Sequence, residues 1–239
     1  VCADRTAYAD PAFAAQDRAN VAAWAKSGVR RLGVYDYLYG AEVASPRVSF
    51  PALIQSIHAT YTAGARGWYA EAYPIWAFDA PKLWLAAKLL EDRMANTESL
   101  LRTWFDRAYG PAADDMLDIY AQVEAAWRRD AVAGGKDQFL RHFHDQRGAL
   151  VLSAAEIAEI GRRLASAQGQ LRLPTKDAAA RRRQAWRLGQ FAEAWDLYLS
   201  YREFVQARRV IPSADARLAA LARLTKADFV YAAKEAEFN

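Results

Sequence analysis

The sequence is poor in cysteine, histidine, glycine and proline, and each shortage removes a class of protein. A single cysteine, Cys2, excludes an internal disulfide framework. The histidines are His58, His142 and His144. The last two stand two apart, so on a helix they diverge, and no third ligand at metal spacing joins them. There is no Gly-rich phosphate loop and no nucleophile elbow, so neither a metal nor another cofactor is expected. No run approaches the ~20 apolar residues of a membrane span, and no membrane partner is expected. The 12 Gly and 8 Pro stand against 53 Ala in 239 residues. That balance favours helix and argues against an all-β sandwich or barrel. With 53% hydrophobic and 25% charged residues the chain is not disordered. It opens at Val1, with neither Met nor the basic and apolar regions of a signal peptide. The expectation is a C-terminal piece of something longer.

Charge and aromatics are spread unevenly. The net charge is +4, and the basic excess lies in residues 131–239, which carry 18 Lys and Arg against 12 Asp and Glu. Its densest point is Arg181, Arg182, Arg183 and Arg187, inside a helical pattern. No nucleic-acid recognition motif accompanies it, so it reads as a solvated helix face and no nucleic-acid partner is expected. Aromatics concentrate instead in residues 1–80, in two clusters: Tyr35, Tyr37 and Tyr39, then Trp68, Tyr69, Tyr73, Trp76 and Phe78.

Along the chain, Asp10-Pro11 caps and opens a helix with Phe13, Val21, Ala22 and Trp24 on its apolar side, closed by Gly28. Arg31–Gly40 reads as a strand running into a loop, where period two places the three tyrosines on one face. Residues 51–63 carry Leu53, Ile54, Ile57 and Tyr61, a helical stripe ended by Gly64. Ala65–Glu71 reads as a second strand and residues 72–78 as a loop. Strands joined by a helix are expected to be parallel, with a right-handed crossover. Two parallel strands need neighbours, so residues 1–80 read as the tail of a larger α/β domain.

From residue 81 the pattern is helical to the end. Asp79 and Pro81, Thr97, Pro111, Ser153 (in a capping box with Glu156), Thr175 and Ser213 mark successive starts. Met94 and Met116 read as core filler. The stripes suit a packed bundle over residues 81–239, and the fold class is α/β plus all-α, predominantly helical.

Asp36 and Glu71 are the candidate catalytic residues. Each stands at the C-terminal end of an expected strand, where sites form in parallel α/β architecture, and each is wrapped in aromatics. On adjacent strands about 4.8 Å apart, their carboxylates are expected to come within roughly 5–9 Å, the range of glycosidase pairs. Aromatic faces also suit the C–H faces of sugars, with Tyr35, Tyr37, Tyr39, Trp68, Tyr69, Tyr73 and Trp76 as candidate substrate-binding residues.

The segments Arg5–Pro11, Gly33–Gly40, Gly64–Pro74, Ala80–Leu90 and Ala108–Ala113, in that order, resemble domain-of-unknown-function family 4838. The resemblance covers roughly residues 4–130. It implies the last βα units of a glycoside-hydrolase-like (β/α)8 barrel over residues 1–80, followed by a helical domain, in a bacterial protein that is secreted or periplasmic. The ends of the two strands also look similar to hexosaminidase-type barrels. That likeness implies that Asp36 and Glu71 accept sugar hydroxyls, that Trp68 or Trp76 stacks on the ring, and that the general acid comes from an earlier strand. Glu91-Asp92-Arg93-Met94 departs from the Trp-Asp-Pro-like sequence expected there, so that helix end is expected to be remodelled. The function expected is thus the C-terminal part of a carbohydrate-active protein with a carbohydrate substrate. The alternative is a non-catalytic helical scaffold or interaction module.

Overall fold

The computed structural model describes residues 10–38, 44–72, 75–134 and 146–210. The first helix, α1 (Pro11–Lys26), begins as its sequence dictates: Asp10 accepts from the backbone N–H groups of Ala12 and Phe13, with Pro11 in the first turn. Gly28, at φ +86°, turns the chain toward β1 (Gly33–Tyr37). The expected apolar side of α1 is only lightly used, since Ala14 is its one buried residue among those described and Trp24 is 62% exposed. Helix α2 (Phe50–Thr62) then leads through Gly64, at φ +106°, into β2 (Gly67–Glu71). The two strands pair in parallel, as expected, with α2 as the crossover.

The start of α2 is held from outside. Ser49 stands at the cap position with φ 122° and makes no side-chain cap bond. The Glu124 carboxylate faces the backbone N–H of Phe50 there, which favours its ionised form. Burial raises the pKa of Glu124, and Arg128 and this N–H act against the rise.

The remaining helices are α3 (Trp76–Glu91), α4 (Thr97–Tyr109), α5 (Ala113–Gly134), α6 (Ala154–Arg172) and α7 (Ala178–Val210). Four helix starts differ from the sequence expectation. Helix α3 begins at Trp76, so Pro81 lies inside it rather than at its opening. A proline there has no N–H for the carbonyl of Ala77. The Tyr120 hydroxyl from α5 lies 3.0 Å from the carbonyl oxygens of both Ala77 and Phe78 and donates in its place. Helix α4 is capped by Asn96, not Thr97, and α7 by Asp177, not Thr175. Gly110, at φ +58°, closes α4, and Pro111 sits in a 3-10 turn (Gly110–Ala112) ahead of α5. The capping box of Ser153 and Glu156 forms as read. Met116 is buried, whereas Met94 is exposed just beyond the end of α3. The expected helix after Ser213 lies outside the described residues, as do His142 and His144.

The chain is predominantly helical, as expected. Among the described residues the sheet has two strands, so a closed (β/α)8 barrel is not seen. One buried cluster runs from Leu38, Phe50, Leu53 and Ile57 through Phe78, Leu85 and Leu89 to Phe105, Tyr120, Ile160, Phe191 and Tyr198. The boundary drawn at residue 80 therefore falls inside α3 and inside a continuous core. No described helix is long and apolar enough to cross a membrane.

Candidate functional site

The register of the ribbon decides where each candidate residue points. Tyr35 stands beside Tyr69, Asp36 beside Ala70, and Tyr37 beside Glu71. Neighbours in a parallel register share a face, and successive residues alternate. The rings of Tyr35 and Tyr69 accordingly stack at 5.1 Å with 7° between their planes. Both are open to solvent, at 51% and 62% exposure. Glu71, two residues beyond Tyr69, shares that open face and is half-buried.

Val34, Asp36, Trp68 and Ala70 leave the ribbon on the other side, toward the helices. Trp68 and Ala70 pack against the main core, and Asp36 is buried. The two candidate carboxylates thus depart from opposite faces, and the expected facing pair across one hollow does not form. The reason is parity: the register partner of Asp36 is Ala70, one residue before Glu71, and one step along a strand reverses the side. Trp68 likewise lines a cavity of about 250 Å³ behind the ribbon, with Ile57, Tyr61, Arg66 and Arg93, and its buried indole N–H has no hydrogen-bond partner. Trp76 begins α3 and is 58% exposed, close in sequence to the end of β2. Tyr39, Tyr73 and the side chain of Tyr37 lie outside the described residues.

Beneath the end of β1 lies a charged cluster that the sequence reading did not anticipate. Lys82 donates from Nζ to the carbonyl of Leu38 at 2.8 Å and pairs with Asp79 at 2.7 Å. All three of Arg47, Asp79 and Lys82 are buried. Burial pulls the pKa of Arg47 down to about 10, against the pull of Asp79, which leaves it charged at neutral pH. Burial also raises Asp79 and lowers Lys82, and each partner's charge opposes the other's shift. The Arg47 guanidinium lies 5.2 Å from the ring centroid of Trp127, whose indole N–H donates to the carbonyl of Pro46 at 2.7 Å. The cluster therefore ties the residue after β1, the chain leading into α2, and the first turns of α3 to one another. The signal for it is an acid and a lysine three apart in an otherwise apolar helical turn, where the cap rule accounts for Asp79 alone.

The chemistry on offer is lopsided. The open face has two stacked phenol rings and one carboxylate, suited to a ring with an apolar face and hydroxyl donors. The covered face has a buried acid beside a braced strand end. Among the described residues no group of three or more His, Cys, Asp or Glu side chains is placed to hold a metal ion.

Neither a curated protein nor a solved structure matches the chain. A family model does match over residues 5–122, a stretch that takes in both strands, the charged cluster and the first part of α5. That portion of the chain belongs to the DUF4838 family, a domain of unknown function.

Proposed function

We propose that the chain is the C-terminal part of a glycoside-hydrolase-like carbohydrate-active protein, and that β1 and β2 are the last strands of its (β/α)8 barrel. The observation that carries the proposal is the two-sidedness of the ribbon. In such a barrel each strand turns one face to the helix layer and the other to the interior, with the site at the C-terminal ends. Here the Asp36 and Trp68 face meets α2 and α3, while the other face carries the solvent-exposed, stacked Tyr35 and Tyr69 and ends in Glu71.

In this reading the stacked tyrosines receive a sugar ring and Glu71 accepts its hydroxyls, with Trp76 at the rim. Tyr69 and Glu71, two residues apart, form the aromatic–carboxylate pair on one face, in place of Trp68 and Glu71. Asp36 is buried behind the strand, so in this reading the sugar-binding role falls to Glu71, for which binding ranks above catalysis. The test is a glycan-array and hydrolysis screen of the full-length protein. Glu71→Gln and Tyr69→Ala are expected to lose at least about tenfold in sugar affinity with unchanged circular dichroism. Parent-like binding in both variants would remove the site from the open face.

A further inference from the structure

The basic run at the start of α7 has a structural setting of its own, far along the chain from the strand ends. Arg183 and Arg187 are one turn apart on α7. Together with Arg107 of α4 they line a groove of about 520 Å³, whose walls also include Trp84 of α3, Trp104 of α4, and Gln184. The three arginines are exposed at its edge, and the two tryptophans are half-buried in its wall. Trp104 is fixed there by edge-to-face packing on Phe105, at 4.9 Å, and on Tyr109, at 5.7 Å. The groove is also held at its end. Gly110 takes a φ of +58°, and a methyl group on it would stand 2.5 Å from the amide of Gln184, so α7 lies against the turn after α4.

What sets the groove apart is charge. Several other arginines of the bundle are met by carboxylates: Arg102 by Asp106 and Asp114, Arg129 by Glu156, and Arg163 by Asp115, Asp118 and Glu159. Among the described residues no carboxylate pairs with Arg107, Arg183 or Arg187. Like charges one helical turn apart disfavour the helix, and a third guanidinium across the groove adds to the repulsion. An anion relieves it, and guanidinium groups match carboxylate and sulfate oxygens in pairs.

We infer that this groove binds an acidic carbohydrate, with Trp84 and Trp104 against the apolar ring face and Arg107, Arg183 and Arg187 on its carboxylates or sulfates. A nucleic acid fits less well, because the basic strip is short. On α4 it runs directly into Asp106, which with Asp114 outnumbers the single Arg102 they share. A phosphate backbone continuing past the groove would meet that excess negative charge.

The inference stands apart from the proposal for the open ribbon face. Its test uses the full chain, with tryptophan fluorescence and calorimetry against three probes at one salt concentration: a heparin oligosaccharide, a neutral dextran oligosaccharide, and oligo(dT) of equal charge. The heparin oligosaccharide is expected to bind, and the dextran to leave the groove empty. Arg183→Gln/Arg187→Gln is expected to weaken heparin binding about tenfold or more at unchanged circular dichroism, while the off-groove Arg172→Gln leaves it as in the parent. Equal heparin affinity in the double variant, or absence of heparin binding by the parent, would overturn the assignment. Oligo(dT) binding as tight as heparin would replace the carbohydrate with a nucleic acid.

Discussion

Glu156 shows how much a single side chain does here. Its carboxylate accepts from the backbone N–H of Ser153 at 2.7 Å and from Arg129 at 2.7 Å, so it both closes a capping box and joins α6 to α5. Arg129 in turn donates to the carbonyl of Val151 at 3.0 Å, fixing the segment before α6. Arg129 first, and Ser153 after it, hold the Glu156 carboxyl down at about 2, below its ordinary 4.5. A depressed carboxylate favours the folded state while it is ionised. Its contribution is therefore complete above about 4.5 and is lost as pH falls through about 2. Glu156→Gln is expected to cost about 1–2 kcal/mol at neutral pH, because Arg129 is largely in water and its pairing is screened. Urea unfolding of parent and variant across pH 2–7 should show the gap between them close toward the acid end. A gap that stays constant with pH would assign the cost to lost packing instead.

At the scale of the element, α3 carries most of what was surprising. A proline, an acid and a lysine in its first two turns are individually poor choices for a buried helix. Each is answered by a partner: Pro81 by the Tyr120 hydroxyl and Lys82 by the Leu38 carbonyl, both distant in sequence, and Asp79 by Lys82 three residues on and by the more distant Arg47. Asp79-Ala-Pro81 looks locally like a helix start, because the rule for proline acts within a turn while the Tyr120 hydroxyl and the Leu38 carbonyl lie about 40 positions away. Breaking such a buried pair on one side strands the other charge. Asp79→Asn is expected to cost about 3–5 kcal/mol, since the buried Lys82 ammonium then loses the carboxylate it pairs with. Adding Lys82→Met should recover most of that loss, with about 1 kcal/mol outstanding for the Leu38 carbonyl left without its donor. Denaturation midpoints of the two single variants and the double variant check this. A double variant as unstable as the two losses summed would mean that Asp79 and Lys82 are not coupled.

For the whole molecule, the legible part was whatever local chemistry encodes. Asp10-Pro11, Gly28, Gly64, Gly110 and the Ser153–Glu156 box punctuated the chain correctly because caps and left-handed glycines act within a few residues. The parallel pairing of β1 and β2 followed from the helix between them. Register was not legible: a shift of one residue moves an acid to the other face, and nothing local to Asp36 or Glu71 reports it. Nor was the continuity of the core, which depends on α7 returning to the helix that follows β2. Phe191 of α7 meets the ring of Phe78 edge-on at 5.2 Å and lies 5.8 Å from that of Tyr120, so one side chain joins α3, α5 and α7. It is almost fully buried. Phe191→Ala is expected to destabilise by about 3–5 kcal/mol through the lost burial and the cavity left behind. Because Leu38 and Phe50 belong to the same cluster as Phe191, the loss should reach the ribbon. Amide exchange in β1 and β2 is expected to accelerate together with that of α4 and α7, and fluorescence and circular dichroism should report one shared, lowered transition. Two transitions, with the ribbon's exchange unchanged, would show that the strands and the bundle unfold as separate units.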